Sequence, residues 1–451
     1  MKLRFFEWLM LTYTFAVLLT CLLFFRSLKS SNASSGSLKT FEQRNRAFNV
    51  FRFDASSNLA VGQADQSQPV ETDLISESKN EKRYWNQWAP VNLLKQNLSY
   101  IEPNKLRLFS HADYLVDIWS NNGLGDYLWQ HIIQAELKSR PDKLYRHGEK
   151  TIHGIKYRFK GGDNLSLGFV SDTTENVIFV LNGRSNKTRE TTRAWLDGLA
   201  DLDALQNVGL VLIGDELCDN SWLLGYLQNK TAYSPKFVFL VYDSPLIDDK
   251  TVFQFPLGVA TYRGFPLPAY PDLVVKGVRK YVCNFIGTVY SNSSRELLVK
   301  HLERINVAGT SHCYLKVRYT WQPTETQESL SSYVEVLKSS DLTLCPLGLN
   351  AESYRIYEAL SVGSVPIIED AVMGSNCSST PYRLLRRHKA PVVFVKDWSE
   401  LPKVLANEKK LSIAAKERRR EKMLNWYQKF RSTLAVSFTS TVLQKFFNAT
   451  V

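Results

Sequence analysis

The sequence predicts an α/β protein with parallel sheets, arranged as two halves behind an apolar anchor and a polar stem. Three observations predict it. From about residue 105, short continuous apolar runs alternate with amphipathic stretches, the pattern of parallel strands buried on both faces and joined by helices. A Pro- and Gly-rich stretch at 264–277, with Pro266, Pro268 and Pro271, reads as a hinge between the halves. The run 5–25 is almost wholly apolar, with one charge, Glu7, near its start.

The anchor comes first. At about 1.5 Å per residue, such a run crosses a hydrocarbon core of roughly 30 Å. Lys2 and Arg4 precede it, and Arg26 and Lys29 follow, so the flanking charge bias is weak. The run exceeds a usual signal-peptide core and no small-x-small cleavage site follows. Residues 1–4 therefore read as a cytoplasmic tail and 5–25 as an uncleaved signal-anchor. Residues 26–104 read as a stem: 27–80 are rich in Ser, Asn, Gln and charge without a sustained period. Tyr84, Trp85 and Trp88 signal the approach of folded structure.

Sequons at Asn32, Asn97, Asn164, Asn186, Asn229, Asn292, Asn376 and Asn448 predict a luminal body. Cys21 lies in the span. Cys218, Cys283, Cys313, Cys345 and Cys377 would meet an oxidising lumen, which suits one or two disulfides and leaves at least one thiol unpaired. No CxxC pair exists, which argues against a zinc ribbon. The chain of 451 residues has room for about two domains besides these segments. Its net charge of +12 favours an anionic partner: phosphate, a charged glycan, lipid head groups or nucleic acid. The span and the sequons argue against nucleic acid.

In the first half, 105–270, strands are expected at 177–181, 208–213 and 237–241. A helix is expected at about 191–205, with Trp195, Leu199, Leu202 and Leu205 on one face. In the second, 271–410, strands are expected at 281–286, 342–345, 365–368 and 392–395, with a helix at 329–338. A helical tail, 411–451, carries Met423, Trp426, Tyr427, Phe430 and Leu434 at helix spacing. The basic run 416–422 at its start reads as a solvated face.

The segment from Leu342 to Asp370 carries the chemistry. A strand ends at Cys345, Pro346 and Gly348 turn the chain, and Ser353 can cap a helix. Ile356, Ala359 and Leu360 form the buried face of that helix, and Gly363 sits where a left-handed cap belongs. A second strand then ends in Glu369 and Asp370. A helix start offers N–H donors to a phosphate. Arg355, in the first turn, can add a bidentate contact. Glu358, three residues on, can accept from ribose hydroxyls, or the two side chains can simply pair with each other. Gly348 and Glu369 fall beyond the carboxyl ends of strands, where ligands bind in open α/β sheets.

The pattern Cys-Pro-x-Gly, Ser-x-Arg-x-x-Glu-Ala-Leu and Gly-x-x-Pro-Ile-Ile resembles the C-terminal nucleotide-sugar motif of exostosin-type glycosyltransferases. Further blocks are similar to those of the ribitol-5-phosphate xylosyltransferase branch: Gly125-Asp-Tyr-Leu-Trp-Gln-His131, Ile213-Gly-Asp-Glu-Leu-Cys-Asp-Asn220 and Val241-Tyr-Asp-Ser-Pro245. Similar too are Phe253-Gln-Phe-Pro-Leu-Gly-Val-Ala-Thr-Tyr-Arg263, Cys283-Asn-Phe-Ile-Gly-Thr-Val-Tyr-Ser-Asn-Ser-Ser-Arg295 and Tyr354-Arg-Ile-Tyr-Glu-Ala359. The resemblance runs from about residue 110 to the C-terminus. It implies a GT-B-like pair of Rossmann-type domains, with the acceptor on the first and the nucleotide sugar on the second. It implies a type II Golgi membrane enzyme that moves xylose from UDP-xylose to ribitol-5-phosphate on the O-mannosyl glycan of α-dystroglycan, in a β1,4 link, beside other Golgi glycan-assembly enzymes.

Such a transfer inverts the anomeric carbon. It needs a general base for the acceptor hydroxyl and positive groups for the leaving diphosphate. Arg355 is the candidate for the second role, with Gly287, Thr288 and Arg295 as further phosphate contacts. Base candidates in the first half are Glu216, Asp219 and Asp243, then Asp126 and His131. Glu216 ranks first because it follows a buried strand and a glycine. Trp321 is either a uracil platform or a buried loop aromatic. Asp201-Leu-Asp203 is a DxD triplet, but it falls in a helical pattern with solvated carboxylates, so no essential metal is expected. Two other readings stay open: a different exostosin-like UDP-sugar transferase, and a noncatalytic luminal glycan-binding subunit.

Overall fold

In the first half, eight strands form one sheet in the order β2-β3-β4-β1-β5-β6-β7-β8. The strands are β1 (Tyr114–Ser120), β2 (Lys138–Ser139), β3 (Arg146–Ile152), β4 (Ile155–Gly161), β5 (Asn176–Asn182), β6 (Asn207–Ile213), β7 (Phe237–Val241) and β8 (Val252–Phe255). The computed structural model describes residues 114–449 apart from 229–232, 269–275, 310–311, 323, 373–376 and 378–381. The expected span 5–25, the stem, Asn32, Asn97, Asn229, Asn376 and half of the expected hinge lie outside the described residues. Among the described residues, no helix is long and apolar enough to cross a membrane.

β4, β1, β5, β6, β7 and β8 run parallel, each paired to the next. Their apolar runs are buried on both faces, and the side chains divide by parity. Ile178, Val180, Val211, Phe237 and Phe239 face one core, while Val177, Phe179, Leu210, Val238 and Leu240 face the other. Helix α1 (Gly123–Asp126) continues into a π-helical turn at Tyr127–Ile132. Helix α2 (Asn186–Asp197) opens on a capping box between Ser185 and Thr188, and α3 (Leu224–Gln228) follows.

The second half holds a five-stranded parallel sheet in the order β10-β9-β11-β12-β13. Its strands are β9 (Tyr281–Thr288), β10 (Cys313–Arg318), β11 (Ser340–Cys345), β12 (Val365–Glu369) and β13 (Val393–Val395). Its helices are α4 (Ser294–Val307), α5 (Gln327–Lys338), α6 (Tyr354–Ser361), α7 (Arg383–Arg387) and α8 (Leu401–Lys410). The long α9 (Ile413–Phe447) ends the chain. It leaves the second sheet, where Phe430 stacks near Tyr357, and returns to the first, where Phe438 meets Phe239 at 5.5 Å and Phe446 meets Phe237 at 5.3 Å. One apolar core therefore runs through both sheets.

All seven expected strands are present, most of them a residue or two longer than expected. Six strands were not foreseen: β1, β2, the two strands of the β3–β4 hairpin, β8 and β10. Strand β4 of the hairpin alternates apolar and polar residues, and the chain turns on His153 and Gly154, both at positive φ (50° and 81°), as a two-residue type I′ turn requires.

Several expectations need correction. The helix expected at 191–205 begins at Asn186, because the capping box starts it early, and ends at Asp197; Leu199, Leu202 and Leu205 are buried from a 3₁₀ turn and the loop after it. The basic run of the tail is not wholly a solvated face. Arg420 bonds Asp341 at 2.7 Å, Arg419 bonds Glu408 at 2.6 Å and Lys416 reaches Asp341 at 2.8 Å, with Arg419 and Arg420 buried. Buried carboxylates of the second half draw these cations inward, whereas Arg418 and Lys422 face solvent. Trp321 is not a buried loop aromatic; it is half exposed, with the Arg263 guanidinium 5.8 Å from its ring.

Candidate functional site

The site forms where the carboxyl ends of both sheets' strands meet. On the second half, β9 ends in Gly287 and Thr288, β11 in Cys345, and α6 starts after Ser353. Arg355 donates to the Ile286 carbonyl at 2.6 Å and lies 5.1 Å over the Phe285 ring. Arg295, in the first turn of α4, donates to the carbonyls of Leu347 (3.1 Å) and Thr288 (2.9 Å). Neither guanidinium has a carboxylate partner among the described residues. They also feel each other: burial first, then the charge of Arg355, pushes the Arg295 guanidinium down to about 10. Two partly buried cations bonded only to backbone oxygens could hold an anion.

Two glycines leave room for these cations. A Cβ at Gly287 would sit 2.8 Å from the Arg355 guanidinium, and one at Gly348 would sit 3.0 Å from that of Arg295. Ser353 holds the cap position of α6 with extended backbone, but its hydroxyl makes no cap bond; it is buried and without a partner among the described residues. The expectation that it satisfies the helix N–H groups is therefore corrected. At the far end of α6, Gly363 has φ 73° and Arg279 donates to the carbonyls of Val362 and Gly363, both at 2.9 Å.

Arg355 and Glu358 form no ion pair with each other among the described residues. Glu358 is buried: one oxygen accepts from the Ala260 N–H at 3.1 Å and the other from the Tyr333 hydroxyl at 2.6 Å. Burial raises its carboxyl above the usual range. A ribose would have to share or displace these bonds. Glu369 is also engaged. It accepts from Trp398 at 3.0 Å, from the Leu347 N–H at 3.3 Å and from the Ser294 hydroxyl, tying the Pro346–Gly348 turn to the start of α4. Asp370 pairs with Arg386 at 2.7 Å.

The first half faces this site with the loops after β5, β6 and β7. Glu216, after β6, is partly buried. Its backbone carbonyl accepts from the Asn350 amide at 2.7 Å, its carboxylate stands 3.8 Å from the Arg184 guanidinium, and its charge reaches Arg295. Asp219 is exposed and folds onto Ser221, accepting from its hydroxyl at 2.8 Å, which holds the carboxyl below its usual range. Asp243, after β7, is buried with the Arg383 guanidinium at 3.1 Å. Asp126 pairs with Arg146 of β3 at 3.0 Å, and burial lifts its carboxyl to about 6. His131 is buried in the core below α9, where burial and then Arg431 push it down to about 3. Of the five, only Glu216 is within reach of the Arg295 charge among these contacts. Asp201 and Asp203 are exposed.

Reading the sequence alone passed over three groups that belong to this neighbourhood. Arg184 follows the strand end Asn182-Gly183 and immediately precedes the Ser185 cap, a placement that was a usable signal. Tyr242 is buried at φ 70°, a left-handed backbone that costs a side chain about 1–2 kcal/mol. Glu352 is buried and accepts from the Leu257 N–H at 3.0 Å and the Tyr357 hydroxyl at 2.5 Å, and burial raises it to about 7; no sequence signal marks it. Cys218, beside Glu216, is bonded to Cys377, and Cys283 to Cys313 across β9 and β10. Cys345 is a buried free thiol.

Two α/β sheets whose strand ends bring two guanidiniums together define an α/β protein with a candidate anion site. Two family models match, the RXYLT1 N-terminal domain over residues 116–256 and the RXYLT1 C-terminal domain over 262–447. Ribitol-5-phosphate xylosyltransferase 1 of Danio rerio is 36% identical over 418 residues, covering 90% of this chain and 95% of that one. The Homo sapiens protein of the same name is 37% identical over 386 residues, covering 82% and 86%, and that of Mus musculus 36% over 408, covering 87% and 89%. The chain belongs to the ribitol-5-phosphate xylosyltransferase 1 family.

Proposed function

We propose that this chain transfers xylose from UDP-xylose to ribitol-5-phosphate. The observation that carries the reading is the pair Arg295 and Arg355, two guanidiniums bonded only to backbone carbonyls among the described residues. Placed there, the nucleotide diphosphate would add the missing negative charge, beside the unpartnered Ser353 hydroxyl. The two halves act as a GT-B-like pair. In the transfer, Glu216 takes the proton of the acceptor hydroxyl, the new C–O bond forms at the anomeric carbon, and the bond to the diphosphate breaks with inversion. The leaving charge falls on Arg295 and Arg355. Asp243 and Asp219 rank behind Glu216, since one is buried against Arg383 and the other is folded onto Ser221.

The chain carries this out as a type II Golgi membrane protein with the catalytic body in the lumen, its acceptor borne on the O-mannosyl glycan of α-dystroglycan. Two disulfides and exposed sequons at Asn164, Asn186, Asn292 and Asn448 support that compartment. No metal is needed, because the two arginines supply the positive charge and the Asp201 and Asp203 carboxylates are solvated. Full-length chain in detergent is expected to release UDP from UDP-xylose in preference to other UDP-sugars, to label ribitol-5-phosphate, and to keep its activity in EDTA. Preference for another UDP-sugar would point to a different transferase, and no release from any of them to a binding subunit. Loss of activity in EDTA with rescue by manganese would overturn the metal-free step.

A further inference from the structure

We propose that Arg184, with the Tyr242 and Tyr354 hydroxyls beside it, binds the phosphate ester of the acceptor and so delivers the reacting hydroxyl to Glu216. This rests on the transfer reading above and adds the subsite that reading lacks. The acceptor is itself an anion. Arg295 and Arg355 are committed to the donor side, so the acceptor phosphate needs a second cation, on the first half. Arg184 meets that need. It stands at the carboxyl end of β5, in the row of strand ends where such sheets bind ligands. Among the described residues its guanidinium makes no hydrogen bond and has one ion-pair contact, the long 3.8 Å approach to Glu216. Its side chain is 45% exposed, so a ligand can reach it.

The surroundings fit a phosphate ester. Tyr242, Tyr354 and Tyr262 lie within electrostatic reach of Arg184, and the Tyr262 and Tyr354 rings are 5.7 Å apart. The hydroxyls of Tyr242 and Tyr354 make no hydrogen bond among the described residues, which leaves two donors within electrostatic reach of the guanidinium. Tyr242 holds its place on left-handed backbone, a strained conformation of the kind that gathers at ligand sites. Glu216 is close to both cationic sites, 3.8 Å from Arg184 and within electrostatic reach of Arg295. Ribitol is a short polyol, so its phosphate and its reacting hydroxyl must bind close together. The Arg184–Glu216 pair supplies that spacing. A bound phosphate would also compete for the guanidinium and free the Glu216 carboxylate to accept a proton.

The test uses full-length chain with UDP present and two probes, ribitol-5-phosphate and unphosphorylated ribitol, measured by calorimetric binding and by transfer kinetics. The wild type is expected to bind the phosphorylated probe more tightly than ribitol. Arg184→Gln is expected to weaken only the phosphorylated probe, raising its Kd and KM roughly 10- to 100-fold, with the donor KM changed less than about threefold. Arg184→Lys should recover part of the loss, because it keeps the charge but not the fork. Tyr354→Phe should raise the same KM by a smaller factor. The assignment is overturned if Arg184→Gln keeps the wild-type preference for the phosphorylated probe, or if its donor KM rises as much as its acceptor KM. A wild type that moves no xylose to ribitol-5-phosphate would instead overturn the transfer reading, whatever Arg184 does.

Discussion

Arg355 shows how one side chain can serve both fold and ligand. Its bond to the Ile286 carbonyl and its position over Phe285 fix the guanidinium, while its Nε is buried without a partner among the described residues. A cation so placed costs desolvation unless an anion arrives. Arg355→Ala should therefore cut transfer kcat/KM by roughly 100- to 1,000-fold. Its melting transition should stay within a few degrees of wild type, because the loss is one carbonyl bond. Transfer kinetics beside a thermal melt would check this; retained activity with a normal melt would remove Arg355 from the donor site. Arg355→Lys should restore little, since a point charge cannot reproduce the planar fork.

At the scale of the element, the strand–turn–helix from β11 through α6 to β12 was the most legible part of the sequence. Cys345 ends its strand, Gly348 lies in the turn and Gly363 takes the left-handed cap, because a buried strand, a turn and such a cap are local choices. The bonds that Glu358 and Glu352 make to the first half were not legible. Their partners, Ala260 and Leu257, come from the other half of the chain, and no local pattern encodes a contact across almost a hundred residues. The basic run of α9 was misread for the same reason, since Asp341 and Glu408 pair with it only after folding. Glu352 also gives a prediction of its own. Burial lifts its carboxyl from 4.5 to about 7, so the native chain holds this proton more tightly than the unfolded chain. Between those values unfolding releases the proton, and stability falls as pH rises. Relative to Glu352→Gln, the wild type should lose roughly 3 kcal/mol between pH 4.5 and 7 and little beyond. Denaturant unfolding of both proteins across that range would read the difference; a gap independent of pH would show that Glu352 does not titrate there.

For the whole molecule, the question is what makes two sheets act as one body. Three of the links that cross between them carry the argument. Glu352 and Glu358 hold the loop after β8, α9 lays Phe438 and Phe446 on the first sheet after packing Phe430 near Tyr357, and Cys218 is bonded to Cys377. The disulfide spans 159 residues of sequence, and closing so long a loop restricts the unfolded chain by about 3–5 kcal/mol in the chain-entropy account. The apolar core, by contrast, is shared by both sheets in the native state and does not depend on the disulfide. Replacing both cysteines, Cys218→Ser with Cys377→Ser, should therefore lower the unfolding free energy by about 3–5 kcal/mol yet leave a single transition. Denaturant unfolding followed by tryptophan fluorescence and by circular dichroism would test both parts. Two separated transitions would mean that the disulfide, and not the shared core and α9, couples the halves. An unchanged midpoint would mean that the native link contributes no net constraint. The expected result, a weaker but still cooperative fold, would place the cohesion of the two halves in the helix that returns from one sheet to the other.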